Sequence, residues 1–245
     1  MRTAPAFRAL ALLLCALLGA PASPAAAQDD GRLTYALRVG AGLVSVSGVG
    51  ATFCPADGRQ ACSVDVSGHV EPEASVTVHY RFPTSLVAVE GGLGYVRTRC
   101  DAEVASATRS ESYTLAMNHV LLSAGARVYP VGGAYVGAAL GAGPCLNGTS
   151  CVTYESAGLT NTARMQVEDH VRQAVKGRML VRAALTLGCD LPCGLALAAS
   201  YSRGLTDLLE VGVNDYGYAE RRNDAQYAGL SVGWLLTSEG FKRRR

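Results

Sequence analysis

From residue 33 onward the chain alternates. Leu33, Tyr35, Leu37, Val39, Ala41 and Leu43 fall on one face of an extended segment, and Thr34, Ala36, Arg38, Gly40 and Gly42 on the other. A period of two marks a half-buried strand. The pattern returns with Val76, Val78, Tyr80 and Phe82 against Ser75, Thr77, His79 and Arg81. It recurs with Val87, Val89, Gly91, Leu93 and Tyr95 against Ala88, Glu90, Gly92 and Gly94. Val120 to Val128, the Gly/Ala-rich Ala134 to Ala142, Met179 to Leu187, Leu195 to Tyr201 and Ala228 to Leu236 complete about eight strands. Two places break the rhythm. Tyr113, Leu115 and Met117 are out of phase with Val120 to Val128, which predicts a bulge or a strand emerging from the membrane. Ala163 to Val175 fits two periods. Met165, Val167, Val171 and Val175 suit a projecting strand, the preferred expectation, while Met165, Asp169 and Arg172 suit a short surface helix.

The connections alternate in length. Phe82–Ser85, Pro130–Gly133 and Asp190–Gly194 are tight turns, and long polar segments follow the first, third, fifth and seventh strands. Asp57, Arg59, Asp65, Glu71 and Glu73 are assigned to the first of these segments. Short periplasmic turns and long extracellular loops describe an outer-membrane barrel. Each strand supplies the roughly 9–11 residues that cross a bilayer at a tilt. The expected fold is therefore all-β: an eight-stranded antiparallel up-and-down transmembrane β-barrel. A soluble barrel would use the same alternation with its apolar face inward. Against it, the polar face carries Gly, Ala, Ser and Thr rather than the Lys and Glu of a water-facing surface. Tyr35, Tyr80, Tyr95, Tyr201 and Trp234 lie on the apolar face, several near strand ends, as an interfacial belt requires.

The first residues change the picture only in where they place the protein. Arg2 and Arg8, the apolar run Ala9 to Leu18 and then Ala25-Ala26-Ala27 have the three parts of a secretory signal. The expected organisation is a leader over 1–27, the barrel over 28–237 and a basic tail over 238–245. Net charge is +2 and only two Lys occur, so no nucleic-acid partner is expected. The partners expected are outer-membrane lipids and envelope proteins.

Of eight Cys, Cys15 falls in the leader, which leaves seven. Export makes disulfides the default reading, and three close pairs are expected: Cys54 with Cys62, Cys145 with Cys151, Cys189 with Cys193. Cys100 is left over, either free or paired with a loop cysteine. No metal or cofactor is expected, because CxxC spacing with nearby His is missing.

Tyr80-Arg81-Phe82-Pro83 before a tight turn and Glu90-Gly91-Gly92-Leu93-Gly94-Tyr95 resemble the PorT-type outer-membrane β-barrel family over roughly Leu33 to Leu236. The resemblance implies location and fold, with protein secretion linked to a few members. Tyr227-Ala228-Gly229-Leu230-Ser231-Val232-Gly233-Trp234 also resembles the outer-membrane assembly signal.

The candidate site is the lumen. Arg38, Arg81, Glu90, Arg127 and Arg182, with His79, are expected to face inward and to form an ion-pair plug, because an isolated buried charge is costly. An Arg-lined pore selecting anions is one alternative. A lipid-modifying enzyme is another, but Tyr201-Ser202 lacks a neighbouring His, and His170 beside Glu168 and Asp169 reads as a solvated run. The expected role is non-enzymatic, structural or interaction-based.

Overall fold

The computed structural model describes residues 32–53, 68–83, 85–105, 110–146, 151–214 and 218–237. Eight strands close into a ring. They are β1 (Arg32–Ser47), β2 (His69–Arg81), β3 (Val87–Ala105), β4 (Ser110–Val131), β5 (Ala134–Gly143), β8 (Leu180–Asp190), β9 (Leu195–Gly204) and β11 (Asp224–Thr237). Each pairs antiparallel with its neighbours in that order, and β11 pairs back onto β1, Leu37 opposite Trp234. Closure leaves no edge strand unpaired, the condition for a sheet to sit in hydrocarbon.

The alternation has the orientation a membrane demands. Leu37, Val39, Leu43, Val76, Leu93, Leu140, Leu185 and Val232 all point outward, as do Tyr35, Tyr80, Tyr201 and Trp234. Inward, Gly233 makes room for a large cation: a Cβ there would lie 2.7 Å from Arg38 Cγ. Gly188 does the same beneath the Tyr135 ring.

Four features settle or correct the expectation. On β4 the structure decides between the two alternatives: there is no bulge at the phase change, and the strand emerges from the membrane without switching face. Odd-numbered residues point inward from Glu111 to Tyr129, so Tyr113, Leu115 and Met117 are buried above, and Ser123, Gly125 and Arg127 line the lumen below. What changes is the surrounding medium. Above the apolar band the outer face meets water, and β3 carries Arg97, Arg99, Asp101 and Glu103 there. The apolar residues have moved inside, where Val44, Val46, Val96, Cys100, Val104, Leu115, Met117 and Leu121 form one core. Burying a side chain of the Leu class contributes about 1.5–3 kcal/mol.

Second, β2 starts six residues before Ser75, so Glu71 and Glu73 lie in the strand rather than in a loop. Third, 161–174 is helical. This helix, α2 (Asn161–Ala174), follows α1 (Val49–Phe53) in the chain. Thr160 caps α2 by accepting from Ala163 N at 3.3 Å, and Val167, Val171 and Ala174 pack on the upper core. An isolated strand there would lack a partner. The upper edge of β4, Glu111–Ala116, is already taken by β6 (Cys151–Ser156).

Fourth, Cys189 and Cys193 are unpaired. Cys189 lies opposite Leu197 in the β8–β9 ladder, while Cys193 sits in the turn, where Leu191 N donates to Leu195 O. The two side chains therefore do not face each other. Cys100 is buried in the core, its thiol donating to Leu115 O at 3.8 Å. Cys145 packs against the same core. Cys54 and Cys62, the side chain of Cys151, the leader and the basic tail lie outside the described residues.

The described parts of the long connections form a roof. The two-stranded ladder of β7 (Val175–Gly177) and β10 (Leu209–Val211) ties the third connection to the fourth. Phe53 from the first stacks on Tyr113 at 4.3 Å, and Tyr154 and Tyr218 join them at 5.1 Å and 5.2 Å. Asn223 accepts from Leu208 N and Leu209 N, and its own N donates to Asp207.

Candidate functional site

The lower lumen is built from inward positions of every barrel strand. Arg127 on β4 is the largest fully buried side chain there, at 1% exposed. It forms a close ion pair with Glu90 on β3. Its Nη1 lies 3.2 Å from His79 Nδ1, and His79 Nε2 lies 2.7 Å from Thr77 Oγ1. The guanidinium also sits over the Tyr135 ring, 4.4 Å from its centroid. A buried guanidinium needs both a counter-charge and hydrogen bonds to offset desolvation. Glu90, His79 and Tyr135 supply these from three strands.

The other arginines divide. Arg182 on β8 pairs with Glu73 on β2 across the lumen at 3.0 Å. Arg38 on β1 donates to the Tyr135 hydroxyl at 3.0 Å. Arg81 stands at the lower mouth, exposed, its guanidinium 4.7 Å from the Tyr129 centroid. The five lumen residues expected from sequence thus contain one direct pair, Glu90 with Arg127. Sequence reasoning missed four partners: Glu73, Tyr129, Tyr135 and Asp190, the last accepting from the Tyr129 hydroxyl at 2.9 Å. Parity was the available signal. Tyr135 shares its face with Gly137, Ala139 and Gly141, a strand stripped of bulk around one aromatic.

Outside the lumen no reactive constellation assembles among the described residues. His69 bonds Asp101 at 2.7 Å, but Thr114 gives its proton to Asp101 and not to the imidazole. Glu168 accepts from Tyr154 N, and Asp169 pairs with Arg172, so the run around His170 is divided. Ser202 is buried inward while Tyr201 faces outward. Among the described residues no group of three or more His, Cys, Asp and Glu could hold a metal.

No family model and no curated protein matches the chain. Among solved structures it is similar to Neisserial surface protein A, with TM-score 0.39 and 9% identity over 82% of this chain and 96% of that one. It is similar also to OprG of Pseudomonas aeruginosa (0.36, 12%, 82% and 95%) and to Ail, the attachment invasion locus protein of Yersinia pestis (0.33, 9%, 84% and 99%). These are bacterial outer-membrane barrels, and likeness at this level carries nothing about activity. The chain's own geometry carries the assignment. A closed ring of strands with an apolar, aromatic-bordered exterior and a polar interior is the form in which a sheet spans an outer membrane, and this chain is an outer-membrane β-barrel protein.

Proposed function

We propose that the protein is a non-enzymatic, non-conducting barrel whose role is to hold a compact roof of loops at the cell surface, as a structural or interaction element of the envelope. The observation that carries this is the filled lumen. The Arg127–Glu90–His79 network and the Tyr129–Tyr135 pair fill the lower part, and an apolar core fills the upper part under the roof. A conducting pore needs a continuous water path. Among the described residues, two interior cavities, lined by Arg38 and Glu73 and by Val44 and Leu180, measure about 70 and 20 Å³, each room for one or a few waters. Arg127 with Glu90 and Arg182 with Glu73 are committed to ion pairs within the lumen, which supports a structural role over a catalytic one.

A finer reading, support of protein secretion in the manner of PorT-type barrels, rests on Tyr80-Arg81-Phe82-Pro83 and Glu90 to Tyr95 alone. The deciding experiment is planar-bilayer recording of the purified barrel. Baseline current with no unitary steps is expected, and reproducible anion-selective steps abolished by plugging the lumen would overturn the proposal. Loss of a secreted protein set on gene deletion, with lipid A mass spectra unchanged, would support the secretion reading.

A further inference from the structure

Midway along the lumen, between the Arg127 network and the apolar core, lies a chamber of about 70 Å³. Arg38, Glu73, Ser75, Thr186, Ser200 and Ser231 line it, together with Tyr227. The pairing registers explain the grouping: Arg38 stands opposite Ser75, Gly40 opposite Ser231, and Thr186 opposite Ser200. Five strands thereby bring one cation and four hydroxyls to one level.

The charges at that level do not balance by contact. Glu73 is held by Arg182 at 3.0 Å, a neutral pair. Arg38 is 9% exposed and, among the described residues, has no carboxylate in ion-pair reach. One of its nitrogens donates to Tyr135, and its Nε is buried without a partner. The four hydroxyls make no protein hydrogen bond among the described residues. A buried guanidinium with an unbonded Nε, out of ion-pair contact with Asp190, which bonds Tyr129 instead, and facing hydroxyls free to donate, is expensive unless an acceptor sits between them. The space admits a halide with a water or two and is too small for a sulfate with its hydration shell.

We propose that this chamber is a binding site for a small monovalent anion of the chloride class, held by Arg38 with Ser75, Thr186, Ser200 and Ser231 as donors. The ion would give Arg38 the direct contact that Glu90 gives Arg127 and Glu73 gives Arg182. The site is separate from the question of conduction, because an occluded ion needs no open path.

Bromide is the probe. Crystals of the protein purified from outer membranes, grown in sodium bromide, are expected to show an anomalous peak in the chamber within hydrogen-bond reach of Arg38. The unfolding temperature in detergent is expected to rise with bromide over gluconate at equal ionic strength, and this dependence should vanish in Arg38→Met. Should that variant not fold, Ser200→Ala with Ser231→Ala keeps the cation and removes two donors. It should shift the bromide half-point about tenfold to weaker binding. A chamber holding only water at saturating bromide would overturn the site. So would a bromide dependence equal in the wild-type protein and the serine variant.

Discussion

On β4, Leu121 is 2% exposed and Leu122 71%. Ten residues earlier on the same strand the outward residue is Ser112, flanked by the inward Glu111 and Tyr113. The strand has kept its face, yet the chemistry of its two sides has exchanged. In the lower half the outside is apolar and the inside holds Arg127, Glu90, His79 and Asp190. In the upper half Arg97, Arg99, Asp101 and Glu103 are outside, and Leu115, Met117, Cys100 and Val46 are inside. The lower half is bathed in hydrocarbon, so its polar groups must be satisfied within the lumen. The upper half is bathed in water and is held by hydrophobic burial, as in a soluble protein. One continuous sheet obeys two solvents.

The sharpest way to break this comparison is to unpair the lower half. Glu90→Ala leaves the Arg127 guanidinium buried without its counter-charge, a change worth roughly 3–5 kcal/mol. Urea unfolding in lipid vesicles should show that loss, and Glu90→Ala with Arg127→Met should recover part of it. Strict additivity would mean that the pair is not a unit.

A somewhat smaller effect separates the two outer faces. Leu185 points into the apolar band and Glu103 into water. Leu185→Arg should cost about 2–4 kcal/mol near the centre of the bilayer. Glu103→Arg on the upper hairpin should fall within about 0.5 kcal/mol of wild type. Equal costs in the same unfolding assay would place Leu185 away from lipid.

Thiol chemistry sharpens the contrast without altering stability. Burial, with the Asp101 charge beside it, pushes the Cys100 thiol up to about 12. Cys193 is exposed in its turn. With the remaining cysteines replaced, maleimide at neutral pH should label Cys193 rapidly and Cys100 only after unfolding. Rapid native labelling of Cys100 would show that the upper core is open.

At the small end, Arg172→Ala removes an exposed i,i+3 pair with Asp169 on α2. Its cost should be a few tenths of a kcal/mol, about 0.2–0.5, read as a small shift in the unfolding midpoint.

The contrast also shows which parts were legible in the sequence. Leu33 to Leu43 betrayed β1 because that stretch lies in one medium and its alternation is uninterrupted. Tyr113 to Val128 left two readings open because the strand crosses the boundary, and a change of solvent looks like a bulge or a change of face. Glu71 and Glu73 looked like loop residues, yet Glu73 is drawn into β2 to meet Arg182, a partner more than one hundred positions away. Met165, Val167 and Val171 fit two periods, and tertiary context decided: β6 had already occupied the edge a strand would have needed. The lumen cations could be found by parity alone. Tyr135 as their shared partner could not, since nothing local ties it to Arg38 or Arg127.

The inversion itself can be tested most directly by a fluorescence scan of β4 in vesicles, one bimane-labelled cysteine at a time on a background without other cysteines, with quenchers dissolved in lipid or in water. Positions 122, 124, 126 and 128 should be quenched from lipid, 112 and 114 from water, and 113, 115, 117 and 121 from neither. Lipid quenching at 113, 115 and 117 would mean that the strand does switch faces, and the two-solvent account of this barrel would be wrong.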